Sequence, residues 1–227
     1  MSDYSTVRVF VSTYAKYNEG TLDGKWFTPA DYDSYDDFFN ALRDYHNDET
    51  DPEFMFQDKE HLPDELYSES EFDEDAYNYS VYVATNPQNA YGAYCWVENF
   101  NDGWDEDNFE SSFTGEFDSA EDYCWQYIDD CGGISEAMSR DTMELYFDYE
   151  SFGRDIKIDL DPNDEWENEL LEKDDYDCGA EYVDSLGGVE ELSDDTIESY
   201  FNIEGYARDC QYDGSFDYYD GCVFVNY

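Results

Sequence analysis

Val7-Arg8-Val9-Phe10-Val11-Ser12 decides how this chain begins to fold. Three valines alternate with Arg8, Phe10 and Ser12. A period of two sends alternate side chains to opposite faces of a strand. A Gly-containing loop through Asn18, Glu19 and Gly20 follows, and a second short strand is expected near Lys25 to Thr28. Ser34 stands three residues before Asp37, the spacing at which a Ser hydroxyl caps a helix. Phe38, Phe39, Leu42 and Tyr45 then form an apolar stripe at helical spacing to about His46. Phe54 to Gln57 fits a third strand. Residues 1–62 therefore read as a small N-terminal α+β domain.

Working outward, Asp58 to Asp75 is polar, contains Pro63 and reads as a connection. Residues 63–115 read as a mainly helical middle domain. Asn86 before Pro87 is a good helix start, because Pro suits the first turn. Tyr91, Tyr94, Cys95 and Val97 then fall on one side of that helix. Tyr79 to Val83 fits a strand or a helix equally well. Asp105 to Ser112 and Ser119 to Ile128 read as two further short helices, and Ser119 with Asp122 repeats the capping spacing.

The remainder contains an internal repeat. Tyr127-Ile128, Gly132-Gly133, Asp141-Thr142, Tyr146-Phe147 and Arg154-Asp155 recur in order as Tyr182-Val183, Gly187-Gly188, Asp195-Thr196, Tyr200-Phe201 and Arg208-Asp209. The pattern predicts a duplicated C-terminal α+β module, with copies at 116–160 and 161–227. The alternating tail from Cys222 is expected to form a hairpin with Cys210 to Tyr212 through the Gly214 and Gly221 region.

Charge is the other strong signal. The chain has 61 Asp and Glu against 10 Lys and Arg, a net charge of -51 over 227 residues. From Glu60 to Ser139 there are 21 acids and no Lys or Arg. Acidic chains are often disordered, but those are poor in aromatic residues. Here 41% of residues are hydrophobic, with 24 Tyr, 16 Phe and 5 Trp, enough apolar area for an ordered core. Like charge at this density opposes compaction, so a strongly basic partner, or one that normally binds a polyanion, is expected. Duplex DNA carries one charge per about 1.7 Å of axis, so 51 charges correspond to roughly 90 Å, or about 25 base pairs.

Several chemistries find no support. The best match to a calcium loop starts at Asp159 with Asp161 and Asn163, but its sixth position is Asp164 and its twelfth Leu170, where Gly and Glu are needed. His46 and His61 are too few and too isolated for a zinc cluster. There is no phosphate loop and no nucleophile elbow. Close carboxylate pairs are uninformative among 61 acids. The expectation is a non-enzyme with no catalytic residue, cofactor or metal, binding no nucleic acid directly and no membrane. The first residues show no apolar leader and no stretch is long and apolar enough for a membrane span, so a cytoplasmic location with reduced cysteines is expected.

Three separated blocks bring a resemblance. Tyr14-Ala15-Lys16-Tyr17-Asn18-Glu19-Gly20 runs on to Gly24-Lys25-Trp26. Asp51-Pro52-Glu53-Phe54-Met55-Phe56-Gln57-Asp58 is followed by Tyr67-Ser68-Glu69-Ser70. The third is Tyr146-Phe147-Asp148-Tyr149-Glu150-Ser151-Phe152-Gly153-Arg154-Asp155. In these the chain resembles the ArdA antirestriction family. The resemblance implies an elongated, dimeric, three-domain DNA mimic of phages, plasmids or transposons. It would act in the host bacterial cytoplasm and occupy the DNA groove of type I restriction-modification enzymes, at their methyltransferase and specificity subunits. The family usually has one C-terminal module, and Asp159 to Tyr227 adds a second. Whether this chain forms a homodimer is open at this point.

Under this reading the partner-binding acids are expected among Asp73, Glu74, Asp75, Asp102, Asp105, Glu106, Asp107, Glu110, Asp129 and Asp130. Arg154 and Arg208, placed alike in both repeats, are expected to be structural, each buried or half-buried among several acceptors. An acidic binding protein or chaperone for other basic DNA-binding proteins is the alternative. A low-affinity calcium buffer is a weaker third.

Overall fold

A computed structural model describes residues 4–21, 23–100 and 103–225. It is an α+β chain. The described residues form thirteen α-helices and two three-stranded sheets. They divide into two compact units, 1–116 with 218–227, and 117–217. The boundaries expected near 62 and 160 do not coincide with these.

The first unit starts with β1 (Arg8–Thr13), centred between β2 (Lys25–Phe27) and β3 (Phe54–Glu60), both antiparallel to it. The alternation in β1 has its physical counterpart: Val7, Val9 and Val11 are buried. A bulge at Gln57 of β3 shifts the pairing between Phe10 and Val11; Thr13 is buried in continuation of the valine alternation, and Ser12 is buried where its hydroxyl donates to Asp23 O at 2.9 Å. The short α1 (Tyr14–Asn18) leaves β1 directly. Helix α2 (Tyr35–Tyr45) starts where Ser34 Oγ accepts from the Asp37 amide at 3.1 Å. Phe38 and Leu42 are fully buried, and each full burial contributes about 2 kcal/mol.

Helices α3 (Glu74–Thr85), α4 (Ala90–Phe100) and α5 (Glu106–Ser112) follow. The ambiguous run Tyr79 to Val83 lies inside α3. One hydrophobic core joins Val9, Phe38 and Phe56 to Tyr79, Val83, Trp96 and Phe109. That shared core is why the N-terminal sheet and these helices form one unit. Strand β4 (Phe113–Glu116) pairs antiparallel with β6 (Cys222–Val225) in a second sheet of order β4-β6-β5, where β5 is Phe216–Tyr219.

This corrects the expected tail hairpin. Cys210 to Tyr212 is helical and lies in α13 (Ile203–Asp213), which ends at the left-handed Gly214. The strand partnering the tail begins later, at Phe216. Asp220 and Gly221 both have positive φ, 48° and 90°, as the tight primed turns of hairpins require. The Asp-Gly pair carried that signal in the sequence.

The second unit contains α6 (Ala120–Cys131), α7 (Ile134–Ala137), α8 (Arg140–Tyr146), α9 (Tyr149–Ile156), α10 (Glu165–Leu171), α11 (Asp175–Leu186), α12 (Asp194–Tyr200) and most of the residues of α13. The repeated motifs occupy matching places. Gly132 ends α6 and Gly187 ends α11 in left-handed conformations. Ser139 caps α8 as Ser193 caps α12, and Asp148 caps α9 as Asn202 caps α13. The two stretches also meet reciprocally. The Asp148 amide donates to Tyr200 O and the Asn202 amide to Tyr146 O, each at 2.8 Å, around an antiparallel Phe147–Phe201 bridge. The expected module was α+β in both copies; in the first, 116–160, Glu116 ends β4 and the regular structure after it is helical apart from that bridge, so β5 and β6 have no counterpart in it.

Candidate functional site

The acids of this surface sit where the backbone tolerates them best. Asp73 caps α3 and accepts from the Ala76 amide at 2.9 Å, with Glu74 and Asp75 in the first turn. Asp105 caps α5 through the Asn108 amide at 2.9 Å, followed by Glu106 and Asp107. Each helix N-terminus carries a partial positive charge, worth typically 0.3–1 kcal/mol to a nearby carboxylate. Local folding thus offsets part of the repulsion these side chains bring.

All nine described members of the expected acidic set are exposed. Asp102 lies outside the described residues. Asp73, Glu74, Asp75, Asp105, Glu106, Asp107 and Glu110 belong to the first unit, on α3, α5 and their caps. Asp129 and Asp130 lie on the exposed side of α6 in the second unit.

Between α3 and the start of α5 runs an open groove of about 830 Å³. Asp33, Asp105, Glu106 and Asp107 lie along it, with Asn78, Val81 and Thr85 on the α3 side. Its aromatic lining is Tyr77, Tyr82 and Trp104, held in place by the core beneath. Trp104 packs edge-on to Tyr79, with centroids 5.3 Å apart at 82°, and lies 4.9 Å from the Tyr82 ring. The hydroxyls are committed elsewhere. Tyr77 donates to Tyr32 O at 2.8 Å, and Tyr82 donates to Glu110 Oε1 at 3.3 Å while accepting from Asn89. Burial pushes both phenols above their usual range, so they remain neutral donors at neutral pH.

The basic side chains are largely consumed by their own chain. Among the described residues, seven of the ten Lys and Arg form ion pairs with carboxylates. Lys16 is the most enclosed. Its Nζ lies 3.0 Å from Asp23, 3.2 Å from Asp48 and 3.2 Å from Nδ1 of the buried His46. Burial, then the Lys16 charge, lowers the His46 pKa, so this ring is a neutral acceptor near pH 7. Sequence reading missed this cluster, because the residues that meet are 30 positions apart.

Arg154 and Arg208 sit otherwise than expected. Both are exposed. Arg154 donates to Ser151 Oγ at 2.8 Å, and Arg208 to Asp209 at 3.1 Å. Neither enters a buried network. The Asp of each Arg-Asp pair makes the longer-range contact instead. Tyr200 donates to Asp155 at 3.0 Å and Tyr146 to Asp209 at 2.8 Å, each reaching across to the other repeat. The weak calcium-loop candidate is likewise occupied with local structure: Asp161 accepts from Asn163, and Asp164 caps α10.

All six cysteines are free thiols. Among the described residues no helix is long and apolar enough to cross a membrane.

Comparison with known proteins identifies the chain over most of its length. The family model described as antirestriction protein (ArdA) matches residues 9–164. That span runs from β1 to the last residue before α10. No match was found among curated proteins or among solved structures.

Proposed function

Since the chain belongs to the ArdA antirestriction family and so acts against restriction-modification enzymes, we propose that it does so as a DNA mimic. It occupies the DNA-binding groove of a type I enzyme, at the methyltransferase and specificity subunits, and excludes DNA by competition. Exposed carboxylates take the place of phosphates and meet Lys and Arg of the target. The observation that carries this reading is the surface of α3 and α5. Seven acids there are exposed, none of the Lys or Arg of the chain falls in these helices, and the helix N-termini hold the carboxylates in place.

No chemical step is needed for such inhibition. Affinity comes from many weak ionic contacts and from the counterions that a polyanion releases on binding. The alternative, a general acidic chaperone for basic proteins, shares the charge but would not discriminate among targets. Purified protein added to a type I restriction assay separates the two. Inhibition at near-stoichiometric protein, undiminished by excess of an unrelated basic protein, supports mimicry. Relief of inhibition by that excess would support the chaperone.

A further inference from the structure

We infer that the repeat of the second unit is a self-pairing module whose two halves are both supplied by one chain, so that its pairing face is closed within a single molecule and takes up no second chain. The inference goes beyond the mimicry reading and does not depend on it. It starts from reciprocity. When two like surfaces pair about a twofold axis, residue i meets j and j meets i. At the spacing of the repeat, Tyr146, Phe152 and Asp155 correspond to Tyr200, Tyr206 and Asp209. Their contacts come as twins. Tyr200 donates to Asp155 at 3.0 Å, and Tyr146 to Asp209 at 2.8 Å. The Tyr200 ring lies 5.2 Å from that of Phe152, and the Tyr146 ring 5.4 Å from that of Tyr206. Ser135 donates to Asp194, while Arg140, the counterpart of Asp194, pairs at 2.6 Å with Glu190, the counterpart of Ser135. Whole helices follow the same rule. Helix α9 packs on α11, and its counterpart α13 packs on α6, the counterpart of α11. Each copy thus lays its last helix on the first helix of the other.

The copies also share one apolar core. Ile128, Ile134 and Phe152 of the first cluster with Val183, Val189 and Ile197 of the second. A copy by itself would present this face to water, and contiguous apolar surface of that kind marks an association site. A partner copy is therefore required, on the same chain or on another. The connection between the copies selects the same chain. Exchange between chains is invited by short hinges under strain. Here Lys157 to Asp174 is long and folds as it goes. It contains α10, buries Leu170, and is pinned where Lys157 Nζ donates to Lys173 O at 2.6 Å and to Asp175 at 2.8 Å. It holds the second copy beside the first at an effective concentration that a separate chain does not reach.

The test uses the full chain in two ways. In the first, Ser135→Cys and Asp194→Cys are combined in a Cys131→Ser background, which removes an exposed native thiol. The protein is oxidised with diamide and run on a denaturing gel without reductant, beside the background chain. The expected product is a bond within one chain, reversed by reductant, whose share is constant over about a hundredfold range of protein concentration. The second way needs no variant. Unlabelled and heavy-nitrogen-labelled wild-type chains are refolded together in equal amounts, and the Lys157–Asp175 ion pair is joined by a carbodiimide. Mass spectrometry of the joined peptides is expected to find both halves of each pair with the same label. Covalent dimers that grow with concentration, or joined peptides of mixed label, would overturn the inference by placing the partner copy on a second chain. Absence of both cross-links in protein with the circular dichroism of a folded helical chain would overturn it as well.

Discussion

The helices α3 to α5 and the helices α8 to α13 are both rich in acid, and they handle it in opposite ways. After residue 139 there are five basic side chains, and among the described residues four of them pair with carboxylates. Arg140 joins Glu144 at 2.7 Å and Glu190 at 2.6 Å, and Lys157 joins Asp175 at 2.8 Å. Across α3 to α5 no basic residue exists to play that part. The acids there rest on helix N-termini and on neutral donors, such as the Tyr82 hydroxyl on Glu110 and the Asp64 amide on Glu98. The difference teaches that the charge is not spread as a uniform solubilising coat. Part of it is matched and serves the fold, and part has no basic residue beside it in sequence, which is the part that the proposed mimicry assigns to the partner.

The matched region is held by close packing as well as by charge. Gly153 of α9 and Gly179 of α11 let these helices approach until a Cβ on Gly153 would fall on the carbonyl oxygen of Asp175. In the other repeat the positions equivalent by sequence offset are Ala207 and Cys124, both buried. Gly153→Ala is therefore expected to destabilise the second unit by about 3 kcal/mol, because two backbones must separate. Ala207→Gly should cost only about 1 kcal/mol, through helix propensity. Thermal or urea unfolding measures both. Equal losses would mean that the two crossings are packed alike.

Bare acids and matched acids should separate in their effects. Changing Asp105, Glu106, Asp107 and Glu110 together to Asn or Gln keeps the α5 cap, since Asn caps as well as Asp. It is expected to weaken inhibition roughly 30-fold, as losses of up to about 1 kcal/mol per exposed contact accumulate. Neutralising Glu144, Asp175, Glu181 and Glu190 instead should lower the unfolding temperature and leave inhibition within about twofold. The reverse pattern in a restriction assay would break the comparison.

The two repeats offer a narrower contrast at one helix cap. Asp148 titrates and its counterpart Asn202 does not. The Ser151 backbone amide, first, and its hydroxyl hold the Asp148 carboxyl below the usual range. A carboxylate with a depressed folded-state pKa stabilises above its unfolded pKa of about 3.9, and that stability is lost as pH falls through the folded value. Asp148→Asn should therefore flatten the decline in stability below about pH 4 and change little at pH 7. An unchanged acid limb in a pH series of unfolding curves would contradict the cap's role.

The smallest effects are expected from single exposed charges. Arg154→Ala removes one hydrogen bond to Ser151 at an exposed position and should change stability by no more than about 0.5 kcal/mol. Asp105→Asn alone should change inhibition less than about threefold. A large loss from either would mark a hot spot that the bare surface does not predict.

The elements that could be read in the sequence were those with local causes. The alternation of Val7, Val9 and Val11, the Ser34 cap and the Ser119 cap act within a few residues, and each specifies its element in the structure. The Gly-Gly pairs of the repeat likewise mark helix ends. What the sequence hid depends on distant partners. Nothing local says that Phe38 and Trp96 share a core, or that Lys16 meets His46. Alternation in Cys222 to Val225 points to a hairpin without saying which segment pairs with it: helix propensity keeps Cys210 to Tyr212 in α13, and the turn spans only Asp220-Gly221 rather than the whole stretch from Gly214. The acids were legible as a class from charge alone. The groove beside them was not, since Asp33, Tyr77 and Trp104 come from separate parts of the chain.

The central claim is that bare carboxylates hold the place of DNA phosphates, and competition with DNA across a salt series tests it most directly. The target enzyme is titrated with labelled duplex and with this protein at salt from 50 to 500 mM. The account predicts mutually exclusive binding, with the protein's affinity falling linearly on a log–log salt plot as counterion release requires. A ternary complex of enzyme, DNA and protein, or an affinity that stays flat with salt, would contradict it.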